Sequence, residues 1–133
     1  MTHVEDADIE TSAELCALTE RWTNALIRGD EAFVRRVVSQ LPLALVVGTD
    51  DPQWAEGHDE IVRALSRTMR ELRRTRLLDA RVGAYRKAGI GWSYTRATLA
   101  IPEVGELGLR ATSVFVLEEG EWRLVQHHTS VGA

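Results

Sequence analysis

Apolar residues recur every three or four positions along the first part of the chain, the spacing of a helix with one buried face. The first such stripe comprises Leu15, Leu18, Trp22, Ala25 and Leu26. Thr11 and Glu14 fit a capping box at its start, and Gly29 supplies the left-handed residue that ends it. Asp30 then caps a second helix, which we expect to end before Pro42. The buried stripe of this second helix is Phe33, Val34, Val37 and Val38.

A short aliphatic run and a third helical pattern follow. The run 43–48 predicts a short strand, and Thr49 to Pro52 has the residue types of a turn. After Gly57, the segment 58–73 predicts a helix whose arginines form a stripe separate from its apolar one. The apolar stripe is Ile61, Leu65, Thr68, Met69 and Leu72, and the basic stripe is Arg63, Arg67, Arg70 and Arg74. We interpret the arginines as a solvated face.

From Thr75 onward the hydrophobic period changes from 3.6 to 2. Four long strands are predicted, at 75–87, 90–101, 107–117 and 121–131. Glycines in the short connections make successive strands antiparallel neighbours. Helices gathered before a run of strands predict an α+β domain, with the helices packed on one face of a bent antiparallel sheet.

Composition excludes several classes of protein. The chain has 133 residues, enough for one domain with a sizeable core. Its 16 basic and 20 acidic residues give a net charge of −4, so we expect no nucleic-acid binding. No apolar stretch approaches the ~20 residues that span a bilayer, so we expect no membrane insertion. The single cysteine excludes an internal disulfide and a multi-cysteine zinc site, and no histidine spacing predicts a metal site.

The acidic segment 1–10 lacks the basic and apolar parts of a secretion signal. We expect it to be a disordered tail, followed by one domain over residues 11–133 in a cytoplasmic protein.

The register of the last hairpin determines which side chains of its two strands share a face. A two-residue turn would place Glu119 at positive φ, so we expect a type I turn with Gly120 as the left-handed residue of a bulge. That register pairs Arg110 with His128, whereas a one-residue slip would put His127 there instead. In the favoured register one face carries Arg110, Thr112, Trp122, Gln126, His128 and Ser130. The other face carries Ser113, Phe115, Arg123, Val125 and His127.

A guanidinium, a hydroxyl, an amide and an imidazole on one face can bind a carboxylate, phosphate or enolate oxygen. These groups belong to Arg110, Thr112, Gln126 and His128. An imidazole with its ordinary pKa near ~6.5 can give or take a proton around neutrality, and a neighbouring arginine disfavours its charged form. The alternative interpretation is a satisfied polar network that closes the open end of the sheet.

Short motifs in this order of elements resemble a known family. They are Gly48-Thr49-Asp50 with Trp54 and Gly57, then Ile90-Gly91-Trp92, Arg110-x-Thr112, Gly120-x-Trp122 and Gln126-x-His128-x-Ser130. Together they resemble the SnoaL-like polyketide cyclases, relatives of the ketosteroid isomerases and of nuclear transport factor two, over about Leu15 to Gly132. The resemblance implies a cone-shaped α+β fold in which three N-terminal helices and a strongly curved, mostly antiparallel sheet enclose a pocket. It also implies a homodimer through the outer sheet face.

The same resemblance implies roles for individual residues. In ketosteroid isomerases an aspartate base follows the first strand, which corresponds here to Asp50, although Asp50 and Asp51 also suit a turn. The tyrosine and the protonated aspartic acid that hold the enolate in those enzymes correspond here to Trp22 and to Thr112 or a neighbour. Steroid-type isomerisation is therefore not expected.

The four tryptophans divide into two groups. Trp22 and Trp122 are predicted core residues, whereas Trp54 and Trp92 lie in the motif segments and are predicted to wall an apolar pocket. Arg96 shares the strand parity of Trp92 and is predicted to face the cavity or a partner subunit.

We therefore expect a protein that binds a small, partly apolar, ring-containing molecule and needs no cofactor. In the catalytic hypothesis it is an isomerase, cyclase or hydratase in which His128 or Asp50 moves the proton and Arg110 and Gln126 hold the oxyanion. In the alternative hypothesis the same fold is a non-catalytic ligand-sensing or dimerisation module.

Overall fold

The computed structural model of the chain describes residues 8–49 and 53–132. Over these residues, three α-helices pack on one face of a curled, open sheet of seven strands, which confirms the predicted α+β class. In chain order the elements are β1 (Glu10–Thr11), α1 (Ala13–Arg28), α2 (Glu31–Val37), β2 (Leu45–Val47), β3 (Trp54–Glu56), α3 (His58–Glu71), β4 (Arg76–Lys87), β5 (Ile90–Ile101), β6 (Gly105–Glu118) and β7 (Glu121–Gly132). We call the sheet face that contacts the helices the inner face, and the opposite one the outer face.

The strands lie in the order β1-β4-β5-β6-β7-β2-β3. Every neighbouring pair is antiparallel except β2 and β7, which run parallel. The four long strands lie within a residue or two of the predicted ranges. The sequence did not predict β3, because three residues are too few to show an alternating pattern.

The first helix begins one residue later than predicted. Thr11 lies in β1, where it pairs with Tyr85 of β4. The N-cap is Ser12, whose hydroxyl accepts a hydrogen bond from the Leu15 N–H at 3.1 Å. Glu10 also belongs to β1. Residues 1–7 lie outside the described part of the chain, so the disordered tail predicted there stays a prediction.

The predicted end of α1 and the predicted start of α2 are confirmed. Gly29 ends α1 with φ +75°, and the Asp30 carboxylate accepts from the Phe33 N–H at 3.2 Å. Pro42 does not end α2. The helix stops at Val37, because the following chain is extended and the Ser39 N–H donates to a β7 carbonyl at 2.8 Å.

The core lies between the helices and the inner face. Trp22 and Trp122 are buried in or beside it, as predicted. A second, smaller apolar cluster lies further along the inner face, near the end of α1. It consists of Ala97, Leu99 and Leu109, with Ile27, Leu77, Ile101 and Val131 packed against them.

The last hairpin differs from its prediction in two ways. Its turn is the two-residue Glu119-Gly120 form, with both residues at positive φ, and it joins Glu118 directly opposite Glu121. A bulge then follows at Val125, which has no partner on β6. The bulge moves Trp122 to the inner face, away from the set of residues with which it was predicted to share a face. The other members of that set, Arg110, Thr112, Gln126, His128 and Ser130, still share a face.

Candidate functional site

His127 and His128 define two separate candidate sites, one on each face of the sheet. His127 lies opposite Ser113 on the inner face and contacts α1. His128 lies opposite Thr112 and is exposed on the outer face. The register favoured from the sequence pairs His128 with Arg110, whereas in the structure His128 lies opposite Thr112 and Arg110 lies opposite Ser130. Of the two histidines, His127 is the one that faces the helices.

The inner site is built around a buried, neutral imidazole. Only 5% of His127 is exposed, its Nδ1 lies 2.8 Å from the Ser113 hydroxyl and its Nε2 lies 2.7 Å from the Thr129 hydroxyl. Burial, and to a smaller extent the neighbouring His128, lowers the pKa of His127 to about 4. One ring nitrogen donates and the other accepts, so the neutral ring joins the two hydroxyls in a chain.

Small side chains on the neighbouring strands make room for α1 above this histidine. The inner positions beside it in β4, β5 and β6 are Ala84, Ser93 and Ser113. Thr19 of α1 donates to the Leu15 carbonyl at 2.7 Å and lies 2.8 Å from the Ser93 hydroxyl. The helix is thereby held close to the sheet at this level.

Trp22 completes the inner site. Its ring lies edge-on to His127 with a centroid distance of 5.4 Å, and only 1% of the residue is exposed. Its indole Nε1–H has no hydrogen-bond partner among the described residues. A buried donor without a partner is rare in folded proteins, so this indole N–H distinguishes Trp22 from the other buried side chains of the core.

The inner site borders the second apolar cluster. Along the strands, the next inner row after His127 contains Thr95, Ala111 and Thr129, and the row after that contains Ala97, Leu109 and Val131. The inner face thus changes from polar to apolar within two rows. A few polar groups beside apolar walls are typical of small-molecule sites.

The outer site is an open depression of about 300 Å³. Its lining consists of Tyr94, Thr95, Arg96, Arg110, Ala111, Thr112, His128 and Ser130. Four residues predicted from sequence, namely Arg96, Arg110, Thr112 and His128, are therefore brought together, but on the face away from the helices.

The remaining predicted side chains lie elsewhere on the sheet or outside the described residues. Gln126 is exposed on the outer face opposite Val114, which is also opposite Trp92. Trp54 lies at the far edge on β3, is 59% exposed, and donates from Nε1 to a carboxylate on the same strand at 3.2 Å. Their predicted contacts with a ligand stay predictions.

Asp50 lies outside the described residues, so its predicted role in moving the proton stays a prediction. The residue before it, Thr49, is anchored at the end of β7, where its hydroxyl accepts from the Val131 N–H at 2.7 Å.

Sequence reasoning placed Ser113 and His127 on one face but assigned no function to them. The signal that identifies this face is the run of small residues at period 2 on two adjacent strands, Ser93 and Thr95 on β5 and Ala111 and Ser113 on β6. Such residues on a buried strand face leave room for a large side chain from a helix, here Trp22.

Two further observations concern residues 8–49 and 53–132. Within these ranges, no three His, Cys, Asp or Glu side chains cluster so that they could hold a metal ion. The helices formed by the same residues are too short or too polar to cross a membrane.

The model of the SnoaL-like domain family matches residues 15–133. No curated protein sequence matches the chain significantly. Similar solved structures include a protein named as a candidate ketosteroid isomerase from Shewanella frigidimarina, with TM-score 0.74 and 15% identity over 86% of this chain and 92% of that one. At these identities the likeness concerns the fold alone.

Two other solved structures share the same fold. A nuclear transport factor 2-like superfamily protein from Salmonella enterica has TM-score 0.72 and 17% identity over 90% of this chain and 89% of that one. A protein named as a candidate dehydratase of the NTF2-like family from Streptomyces avermitilis has TM-score 0.70 and 16% identity over 88% and 93%.

Proposed function

The chain belongs to the SnoaL-like domain family, and from this premise we propose that it binds a small, partly apolar organic molecule between α1 and the inner face of the sheet. The observation that carries the proposal is the unpaired indole N–H of Trp22, buried beside His127. A buried donor left unpaired costs about 1–3 kcal/mol, and a ligand oxygen that accepts from it removes this cost.

The surroundings of Trp22 define the chemistry of the ligand. A carbonyl oxygen of the ligand can accept from the indole N–H. The hydroxyl of Thr129, which contacts His127, is the second polar group that we propose contacts the ligand. The apolar part of the molecule then lies along the second apolar cluster. A ring-bearing ketone or a related carbonyl compound combines these features.

We further propose cofactor-free acid–base chemistry of the isomerase, cyclase or hydratase type. A base removes a proton from the carbon beside the carbonyl, the electron pair moves onto the oxygen as an enolate, and the proton returns to another atom. The Trp22 N–H stabilises the enolate oxygen. Asp50 is the proposed base, since both ring nitrogens of His127 already have hydroxyl partners and are not free to accept the substrate proton.

The names of two structural neighbours agree with this reaction class. One is named as a candidate ketosteroid isomerase and another as a candidate dehydratase. In the second version of the catalytic hypothesis, His128 moves the proton and Arg110 and Gln126 hold the oxyanion at the outer depression.

One observation favours the non-catalytic alternative. Both ring nitrogens of His127 already have hydroxyl partners, as in a structural network. In that alternative the protein binds its ligand without converting it, as a sensing or dimerisation module.

The test is a thermal-shift screen of ring-bearing carbonyl metabolites against the wild type, His127→Gln and His128→Gln. A ligand of the inner site raises the midpoint of the wild type and of His128→Gln, but not of His127→Gln. The proposal that the ligand binds at the inner site is contradicted if all three proteins are stabilised. It is also contradicted if only His127→Gln is stabilised, or if none of them is. Where His127→Gln does not fold, Trp22→Phe serves instead, because it removes the indole N–H and keeps an aromatic ring.

Catalysis is tested on the bound ligand in heavy water by NMR. Exchange of the hydrogen beside the carbonyl for deuterium, lost in Asp50→Asn, supports the acid–base mechanism with Asp50 as the base. Exchange lost instead in His128→Gln supports the version at the outer depression. Binding without exchange supports the non-catalytic module.

We also propose that two copies of the chain associate through their outer faces. The support is an exposed apolar column on β5, made of Ile90, Trp92 and Tyr94, since large contiguous apolar patches typically mark interfaces.

A further inference from the structure

Three arginines form a straight row across the outer face. Arg81 on β4 lies opposite Arg96 on β5, which lies opposite Arg110 on β6, and all three side chains are exposed. Residues paired in this way have Cβ atoms about 5 Å apart and point to the same side. The row ends at Ser130 on β7, whose hydroxyl accepts from Arg110 at 3.3 Å.

No acidic side chain in the described part of the chain forms an ion pair with this row. Asp79 lies beside Arg81 and Arg96 in a neighbouring depression but is not within ion-pair distance of either. Like charges directly opposite each other on a sheet are destabilising, so the row is a feature that an anion would stabilise.

The row borders the outer depression. On the side of Arg96 and Arg110, the depression also offers the hydroxyls of Tyr94, Thr112 and Ser130. Guanidinium groups bind carboxylate and phosphate through two parallel hydrogen bonds, and hydroxyls satisfy the remaining oxygens. The volume of about 300 Å³ is sufficient for a small oxyanion.

We propose that this depression binds an oxyanion that carries two or more negative charges, either a polycarboxylate or a phosphate compound, between Arg96 and Arg110 with Arg81 alongside. Several adjacent cations favour a multiply charged ligand over a single carboxylate. The attraction is local, because the chain as a whole has a net charge of −4 and repels anions. The site is on the opposite face from the inner site and does not depend on it. It adjoins the apolar column proposed as the dimer contact, which ends at Tyr94, one outward position before Arg96, so the proposal requires that the dimer contact leave the arginine row open to solvent.

Calorimetric titration with citrate and with pyrophosphate, in sodium chloride of matched ionic strength, tests the proposal. The central arginine is replaced in Arg96→Gln, and the matched control is Arg67→Gln, an exposed arginine on α3. We expect Arg96→Gln to weaken binding at least tenfold and Arg67→Gln to leave it unchanged. Binding of citrate alone identifies a polycarboxylate site, and binding of pyrophosphate alone identifies a phosphate site. Binding of neither anion, or equal binding by both variants, overturns the proposal.

A second measurement keeps the proposal testable where Arg96→Gln folds poorly. Arg81→Gln removes an end of the row at the edge of the depression and should weaken the same titration several-fold. An unchanged affinity in Arg81→Gln contradicts the proposal that Arg81 strengthens binding of the oxyanion. His127→Gln, which removes the inner imidazole, should bind the oxyanion as the wild type does, so failure of the inner site and failure of this proposal are distinguishable.

Discussion

His127 and His128 are consecutive residues whose imidazoles lie on opposite faces of one sheet. The ring of His127 is buried against Trp22 and hydrogen-bonded to two hydroxyls, whereas His128 is exposed beside Thr112. The two side chains therefore have different environments, and each serves as the control for experiments on the other.

The stability of the protein should fall as the pH is lowered from about 6.5 to about 4. The pKa of His127 is lowered to about 4 in the folded chain, below its ordinary value, so the unfolded chain binds a proton in this range and the folded chain does not. The buried neutral His127 thereby contributes about 3 kcal/mol to the free energy of unfolding above pH 6.5, and this contribution is lost by pH 4. Urea denaturation at pH 7, 5.5 and 4 measures it.

The matched variants isolate this effect from other titrating groups. His127→Gln should lack it, and His128→Gln should retain most of it, since burial of His127 is the larger cause of the low pKa. An identical pH dependence in the wild type and His127→Gln would contradict the prediction.

Removal of the Thr129 hydroxyl should destabilise the protein by about 1–3 kcal/mol, because Nε2 of the buried His127 loses its partner. Thr129→Val keeps the shape of the side chain. The control is Thr112→Val, the same change at an exposed outer position, where we expect less than about 0.5 kcal/mol. Equal losses of stability in the two variants would mean that the hydrogen bond to His127 is not the cause of the destabilisation.

Glu119→Asn should stabilise the last hairpin by about 0.5–1 kcal/mol. Glu119 has φ +51° in a turn whose second residue, Gly120, is also at positive φ, and asparagine tolerates this conformation better than glutamate. Thermal unfolding measures the change. Glu119→Gln removes the charge and keeps the unfavourable backbone, so a similar gain in that variant would assign the effect to charge instead.

Gly91→Ala should destabilise the protein by about 1–3 kcal/mol. A β-carbon at Gly91 would overlap the side chain of Leu15, which packs directly on the strand from α1, and would come within 3.2 Å of a backbone carbonyl. Gly89→Ala is the control, because its nearest neighbour would be 3.8 Å away. A harmless Gly91→Ala would show that the Leu15 side chain or α1 shifts to make room for the methyl group.

Trp92→Lys should dissociate the proposed homodimer, because it places a charge in the apolar column on the outer face. Leu43→Lys changes an exposed apolar residue in the loop before β2 and should leave the dimer intact. Sedimentation velocity distinguishes the two masses. A wild type that sediments as a monomer, or a Trp92→Lys variant that stays dimeric, would contradict the proposed interface.

The elements of the fold could be predicted because each depends on local chemistry. Helical spacing with Asp30 and Gly29 located α1 and α2, and alternation with glycine-containing turns located the four long strands. Elements without such signals were missed. The strand β3 is only three residues long, and the bulge adds one apolar residue, Val125, that has no partner on β6.

The sequence by itself determined the fold class, the family resemblance, the buried positions of Trp22 and Trp122, and the grouping of Arg110, Thr112 and His128 on one face. Period-2 alternation sorts a strand into two sets of side chains, but here both sets mix polar and apolar residues, so the pattern did not identify the buried one. Only the tertiary structure decided this. The small residues on the inner rows accept Trp22 and Leu15 from α1, and this contact buries His127 and leaves His128 on the outer face.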